Sequence, residues 1–182
     1  MTGERESGQA GGAHSPFWRF SLKVYGLPGV AQACLDLQDK AGADVNVLLY
    51  VLWLGAQGRR LDRSETTQII AAVASWRDEI VRPLRAVRRA LKTPPPALES
   101  KTAEALRARI KEVELEGERL QQEMLYAWRS AEDAGRAEAP ETAVAANAQV
   151  YAAALQACFS PAPVLKIVQA ALSCAPMGGE ES

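Results

Sequence analysis

At 182 residues the chain is long enough for one domain with a real core, and its 21 Lys and Arg nearly cancel its 22 Asp and Glu. That balance leaves no strong average field to commit the surface to nucleic acid or membrane, so any electrostatic function is local. Cys34, Cys158 and Cys174 share no CxxC spacing and leave one thiol unpaired in any disulfide scheme, which fits a reducing, cytoplasmic setting.

Abundant Ala, Leu, Glu, Gln and Arg, with few aromatic and β-branched residues, predict an all-α bundle of about six to seven helices. Residues 1–14 lack the apolar run of a secretory signal and read as a disordered tail. Ser15 is placed to cap a first helix with Pro16 at its first position, and Gly26 ends it. Pro28 signals a second start. Val30, Ala33, Cys34 and Leu37 then make one apolar stripe before Gly42. Asp44 can cap a third helix, in which VNVLLYVLWLG is apolar all round and must be covered on several sides. This run is far shorter than the roughly 20 residues of a membrane span, so it reads as the centre of the core.

Asp62 and Glu65 have the spacing of a capping box, with Ser64 an equally good cap, and Ile69, Ile70, Val73, Trp76 and Ile80 carry the buried face that follows. Pro83 falls inside this pattern and should kink or divide the helix, with a second piece running from Leu84 to Lys92. Pro94, Pro95 and Pro96 form a stiff connector, the clearest break in the chain. An N-terminal bundle over 15–92, a linker over 93–97 and C-terminal helices over 98–175 packing on that bundle are therefore expected, with a loose tail at 176–182.

The longest helical pattern spans about Ser100 to Ala134. Leu106, Ile110, Val113, Leu120 and Met124 form a three-four seam with Gly117 and Ala103, suited to another helix of the same chain or to association. Pro140 and Pro161 open two last helices, the first rich in Ala. Trp18, Trp53, Trp76 and Trp128 sit among apolar helix positions and read as core.

Two polar concentrations stand out. Asp36 and Asp39 are one turn apart, with Asp44 beyond Gly42, and could hold Mg²⁺ only if a substrate's phosphates completed the shell; a solvated face plus a cap is the plainer reading. Arg82, Arg85 and Arg89 share a helix face with Arg77 nearby, so their forks could converge on a phosphate or a partner's carboxylates, or pair internally with Asp36 and Asp39. The single histidine, His14, lies in the tail, which leaves no Ser/His/Asp or Cys/His site and no ordinary zinc site. No phosphate-cradling glycine motif is present, so no metal or cofactor is expected.

The segments FWRFSLKVYGLPGVAQACLDLQDKAGADVNVLLYVLWLG and SWRDEIVRPLRAVRRALK resemble a family of short proteobacterial helical proteins whose conserved domain has no known function. The likeness runs from Phe17 to Lys92, and more loosely beyond the prolines. It implies a bacterial origin and a helical N-terminal half with Gln38, Asp39, Asp44, Asn46, Arg77 and Arg85 at the family's polar positions. It brings no reaction with it.

Two functions follow. The first is a helical interaction or scaffold protein, more a binder than an enzyme, that presents its arginine face or seam to a protein partner or a second copy; nucleic acid is not expected. The alternative is a small all-helical enzyme or binding protein for a phosphorylated or anionic ligand, with Asp36, Asp39 and Asp44 facing Arg82 and Arg85. The second reading requires these acids and arginines to line one pocket.

Overall fold

The computed structural model describes residues 14–175, so the two expected loose tails, apart from His14, lie outside the described residues. The chain is all-α. Helix α1 (Pro16–Tyr25) starts on Ser15, whose hydroxyl accepts from Trp18 N–H, and ends at Gly26. Helix α2 (Val30–Ala41) starts later than Pro28 suggested, because Gly29 turns the chain through a left-handed conformation (φ 77°). Helix α3 (Val45–Ala56) is capped by Asp44 and is buried at every residue from Asn46 to Ala56.

Its cover comes largely from beyond the proline connector. Helix α8 (Pro140–Ala154) lies along α3, and α9 (Pro161–Ser173) lies against α2. Gly55 makes the α3–α8 crossing possible: a Cβ there would sit 2.7 Å from Val144 Cα and 2.8 Å from Val144 N. Asn147 of α8 donates to Val51 O (2.8 Å) and Arg59 O (2.9 Å) and accepts from Leu61 N–H (2.9 Å), which satisfies the backbone where α3 gives way to an extended turn. The two halves thus share one core, with Leu125, Val144, Tyr151 and Ile167 packed among the residues of α1 to α3.

The expected kink at Pro83 takes an unexpected form. Helix α4 (Arg63–Ala72) begins with the Asp62–Glu65 capping box and stops at Val73 (φ −113°, ψ 4°). After the single turn α5 (Ala74–Trp76) the chain makes a π turn over Arg77–Val81 before α6 (Arg82–Ala90), with Arg82 N–H bonded to Arg77 O five residues back. A proline ring collides with the carbonyl four residues earlier in a regular helix, and the wider turn makes room for it. The extra residue also shifts the buried phase by one. Val81 is buried where Ile80 was expected, and Ile80 is exposed.

Helix α7 (Ser100–Trp128) ends six residues earlier than expected, at an extended Arg129. A short 3₁₀ turn follows, then Arg136–Ala137 (β2) pairs antiparallel with Arg59–Arg60 (β1), a two-residue ladder that no sequence pattern announces. Gly135 permits it at φ 58°, against Arg60 O. The connector itself closes with a turn from Leu98 N–H to Pro95 O (2.9 Å).

The buried face of α7 is rotated by about one residue from the apolar seam. Ala103, Glu114, Gly117, Gln121, Gln122 and Leu125 face inward, whereas Leu106, Val113, Leu120 and Met124 are exposed and Ile110 is half-buried. The expected packing of that seam within the chain is therefore corrected. Of the tryptophans only Trp53 is buried; Trp18, Trp76 and Trp128 are half-buried, with Trp76 Nε1 donating to Gly117 O (2.9 Å).

Candidate functional site

Three chain segments converge beside the start of α3. The end of α2 carries Gln38 and Asp39, the α2–α3 turn carries Asp44 with Asn46 just inside the helix, and the π turn and α6 carry Arg77, Arg82, Arg85 and Arg89. All eight line one cavity of about 270 Å³, closed on the α7 side by Gln121. Asp36 does not join them. It lies on the outer face of α2, within 3.5 Å of Lys40 Nζ and accepting from Gln32 Nε2 at 3.0 Å.

The π turn is what assembles the arginines. In an α-helix, residues five apart are rotated by about 140° from one another. A turn closed by a five-residue hydrogen bond instead stacks Arg77 and Arg82 on one side, where they share Asp78: Arg77 donates twice (2.8 and 2.8 Å) and Arg82 Nη1 lies 2.9 Å away. Arg89 Nη2 reaches Asp39 at 2.7 Å. The arginine hydrogen bonds hold Asp78 and Asp39 below the ordinary carboxylate range.

Arg85 is committed more deeply. It donates to Glu114 (3.2 Å) and Glu118 (2.6 Å), and Arg88 closes on the other side of Glu114. Burial pushes Glu114 up, but hydrogen bonds from Arg88 and Arg85 outweigh it and hold its pKa low. Burial dominates at Glu118, with the neighbouring Glu114 and Asp44 charges adding to it against Arg85, and its pKa is raised.

Asp44 anchors the floor. Its Oδ1 accepts from Asn46 N–H (2.9 Å) and Val47 N–H (3.3 Å), which caps α3, and its Oδ2 accepts from Gln121 Nε2 (2.7 Å). Tyr151, buried on α8, brackets the same residue: its hydroxyl accepts from Asp44 N–H (2.9 Å) and donates to Asp44 O (3.1 Å). Burial, with the Asp44 charge adding to it, raises the Tyr151 pKa, so the phenol stays protonated as a structural strut. Apolar periodicity does not point to Gln121, Gln122 or Glu114, because it assigns the inward positions of α7 to apolar residues. The signal was present as polar residues at helical spacing, but only the facing Asp44, Asn46 and Arg85 give it meaning.

The family model described as Protein of unknown function (DUF2390) matches residues 16–125. The chain belongs to this family. The match reaches beyond the Phe17 to Lys92 likeness and takes in every residue of the cleft, from Gln38 to Gln121. No curated protein and no solved structure matches the chain.

Among the described residues no three His, Cys, Asp or Glu side chains come together as a metal-holding group, so the Mg²⁺ arrangement that Asp36, Asp39 and Asp44 suggested has no geometric support. Among the described residues no histidine, serine, threonine or cysteine lines the arginine cavity. Cys34, Cys158 and Cys174 are unpaired thiols, and burial pushes Cys34 up to about 12. No helix among the described residues is long and apolar enough to cross a membrane.

Proposed function

We propose that the chain binds a small phosphorylated or otherwise anionic ligand through Arg77, Arg82 and Arg89, in the cytoplasm of a bacterial cell. The observation that supports it is the convergence of guanidiniums from two turns of different pitch on one cavity. Among the described residues Arg82 and Arg89 each meet one carboxylate, in pairs exposed at 57%/43% and 51%/53% of their side chains. Such surface pairs contribute about 0–1 kcal/mol, so an oxyanion that offers bidentate geometry can displace them. Both carboxylates of the cavity are engaged, Asp39 by Arg89 and Asp44 by Asn46 N–H, Val47 N–H and Gln121, and among the described residues no serine, threonine, cysteine or histidine joins them, which favours binding over nucleophilic catalysis. Titration with inorganic phosphate and pyrophosphate by calorimetry at low salt tests this: Arg82→Ala and Arg89→Ala should each weaken binding about tenfold. Absence of binding, or variants that bind as tightly as the wild type, refutes it.

A second reading keeps the interaction function, with another copy of this chain as the partner. Leu106, Val113, Leu120 and Met124 form an exposed stripe along α7. An antiparallel twofold at Val113 sets Leu106 against Leu120 of the partner subunit and brings Arg109 beside Glu116 of the partner subunit, so the stripe is complementary to itself. Light scattering decides it: a dimer that Val113→Glu converts to a monomer supports the reading, and a monomeric wild type at high concentration ends it.

A further inference from the structure

A second cavity, of about 380 Å³, lies behind the arginine cavity and shares Gln38, Asn46 and Arg85 with it. Its walls are different in kind. Trp18, Leu22, Tyr25, Leu35, Leu49 and Leu115 make it mainly apolar, yet two buried polar side chains line it without satisfying their hydrogen bonds. Ser21 is 3% exposed and Gln122 is 5% exposed, and among the described residues neither Ser21 Oγ nor Gln122 Oε1 has a hydrogen-bond partner. A buried oxygen left without a donor costs free energy, and such groups are rare in folded proteins.

The orientation of Gln122 is dictated from the other cavity. A carboxylate only accepts, so Asp44 Oδ2 must take the amide nitrogen of Gln121 (2.7 Å), which turns Gln121 Oε1 toward Asn46. Asn46 then has to donate to it (3.3 Å), which leaves Asn46 Oδ1 to accept from Gln122 Nε2 (2.8 Å). At the end of this row Gln122 Oε1 is a fixed, bare acceptor. A flipped Gln122 would put two oxygens face to face.

We infer that the two cavities form one bipartite site for an amphiphilic anion: the charged group in the arginine cavity, and an apolar aryl or acyl body in the second, carrying a hydroxyl or N–H that donates to Gln122 Oε1. This rests on the anion-binding reading and extends it from the charged group to the whole ligand. The combined space falls in the range of small-molecule sites, and an apolar lining with a few fixed polar groups is their usual composition. Ser21 Oγ supplies a second, freely rotating partner for the same body.

Three probes separate the terms: inorganic phosphate, 6-hydroxy-2-naphthyl phosphate and 6-methoxy-2-naphthyl phosphate, titrated into the full chain by calorimetry. The naphthyl phosphates should bind at least about tenfold more tightly than phosphate, and the hydroxyl form about five- to tenfold more tightly than the methoxy form. Gln122→Met should abolish the hydroxyl preference. Leu22→Glu, at an exposed position on the cavity wall, should abolish the naphthyl gain while phosphate still binds, and it stands in should Gln122→Met not fold. Equal binding of all three probes overturns the bipartite site and leaves the arginine reading standing. Naphthyl binding with the Arg82→Ala and Arg89→Ala variants unaffected overturns the arginine reading, and the bipartite inference with it.

Discussion

Replacing Gly55 by alanine tests whether the α3–α8 crossing holds the site together. The new Cβ would meet Val144 Cα at 2.7 Å, Val144 N at 2.8 Å and Ala143 C at 3.0 Å, all well inside the 3.4 Å at which ordinary contact begins. These are backbone atoms of a helix, so no rotamer change relieves the overlap and α8 must move. Alanine is favoured over glycine within a helix by about 1 kcal/mol, which offsets part of the cost. Overpacking typically costs about 1–3 kcal/mol, and a shift of α8 also strains the buried bonds of Asn147 and the Tyr151–Asp44 bracket. A net loss of about 2–4 kcal/mol is expected, which for a chain of this length lowers Tm by about 4–16 °C in a thermal melt followed by circular dichroism. Because Tyr151 sets Asp44, phosphate binding should weaken even in the folded fraction. A Gly55→Ala protein that melts with the wild type would show that the crossing is looser than described and would refute this reasoning.

Gly117→Ala is the contrasting case. Its Cβ would find only ordinary contacts, with Val81 Cγ2 at 3.7 Å and Leu84 Cδ1 at 3.8 Å, so the gain in helix propensity should raise stability by about 0.5–1 kcal/mol in urea denaturation. Glu114→Gln leaves Arg85 and Arg88 short of a buried carboxylate and should cost about 2–4 kcal/mol near neutral pH. The wild-type group has a folded pKa below its usual 4.5, so its stabilisation is complete above that value and is lost as pH falls through the lower folded one. Urea midpoints measured from pH 7 to 3 should therefore fall more steeply for the wild type than for the variant. The raised pKa of Glu118 acts with the opposite sign: its protonated form is favoured in the folded state, and Glu118→Gln should lose less stability as pH rises than the wild type does.

What could be read from the chain was local. Ser15 with Pro16, Asp44, and Asp62 with Glu65 mark helix starts because a cap and its recipient N–H lie within three residues, and each was found in place. The polar positions Gln38, Asp39, Asp44, Asn46, Arg77, Arg82, Arg85 and Arg89 were visible as residues, but their meeting in one cavity was not, because it depends on how α2 and α6 approach the start of α3. The π turn was invisible for a related reason: Pro83 demands relief, and only the packing of Val81 and Trp76 against α7 selects a wider turn over a kink. Apolar periodicity mistook the face of α7. The bundle buries Glu114, Gln121 and Gln122 there, opposite polar partners contributed by α3 and α6, and leaves the apolar stripe outside.

The row of amides between the two cavities has one further consequence. Each amide has two unlike ends, so the row has a sense, and that sense is written at its terminus by the Asp44 carboxylate. Asp44→Asn keeps an oxygen for the α3 cap but presents an N–H₂ to Gln121. Every amide downstream can then reverse, so that Gln122 offers a donor where it had offered an acceptor. The preference for 6-hydroxy- over 6-methoxy-naphthyl phosphate should shrink or invert in that variant, although the altered atom lines a different cavity from the one that reads the difference. Selectivity in one chamber would thus be encoded in the charge state of the other, with no movement of the backbone between them.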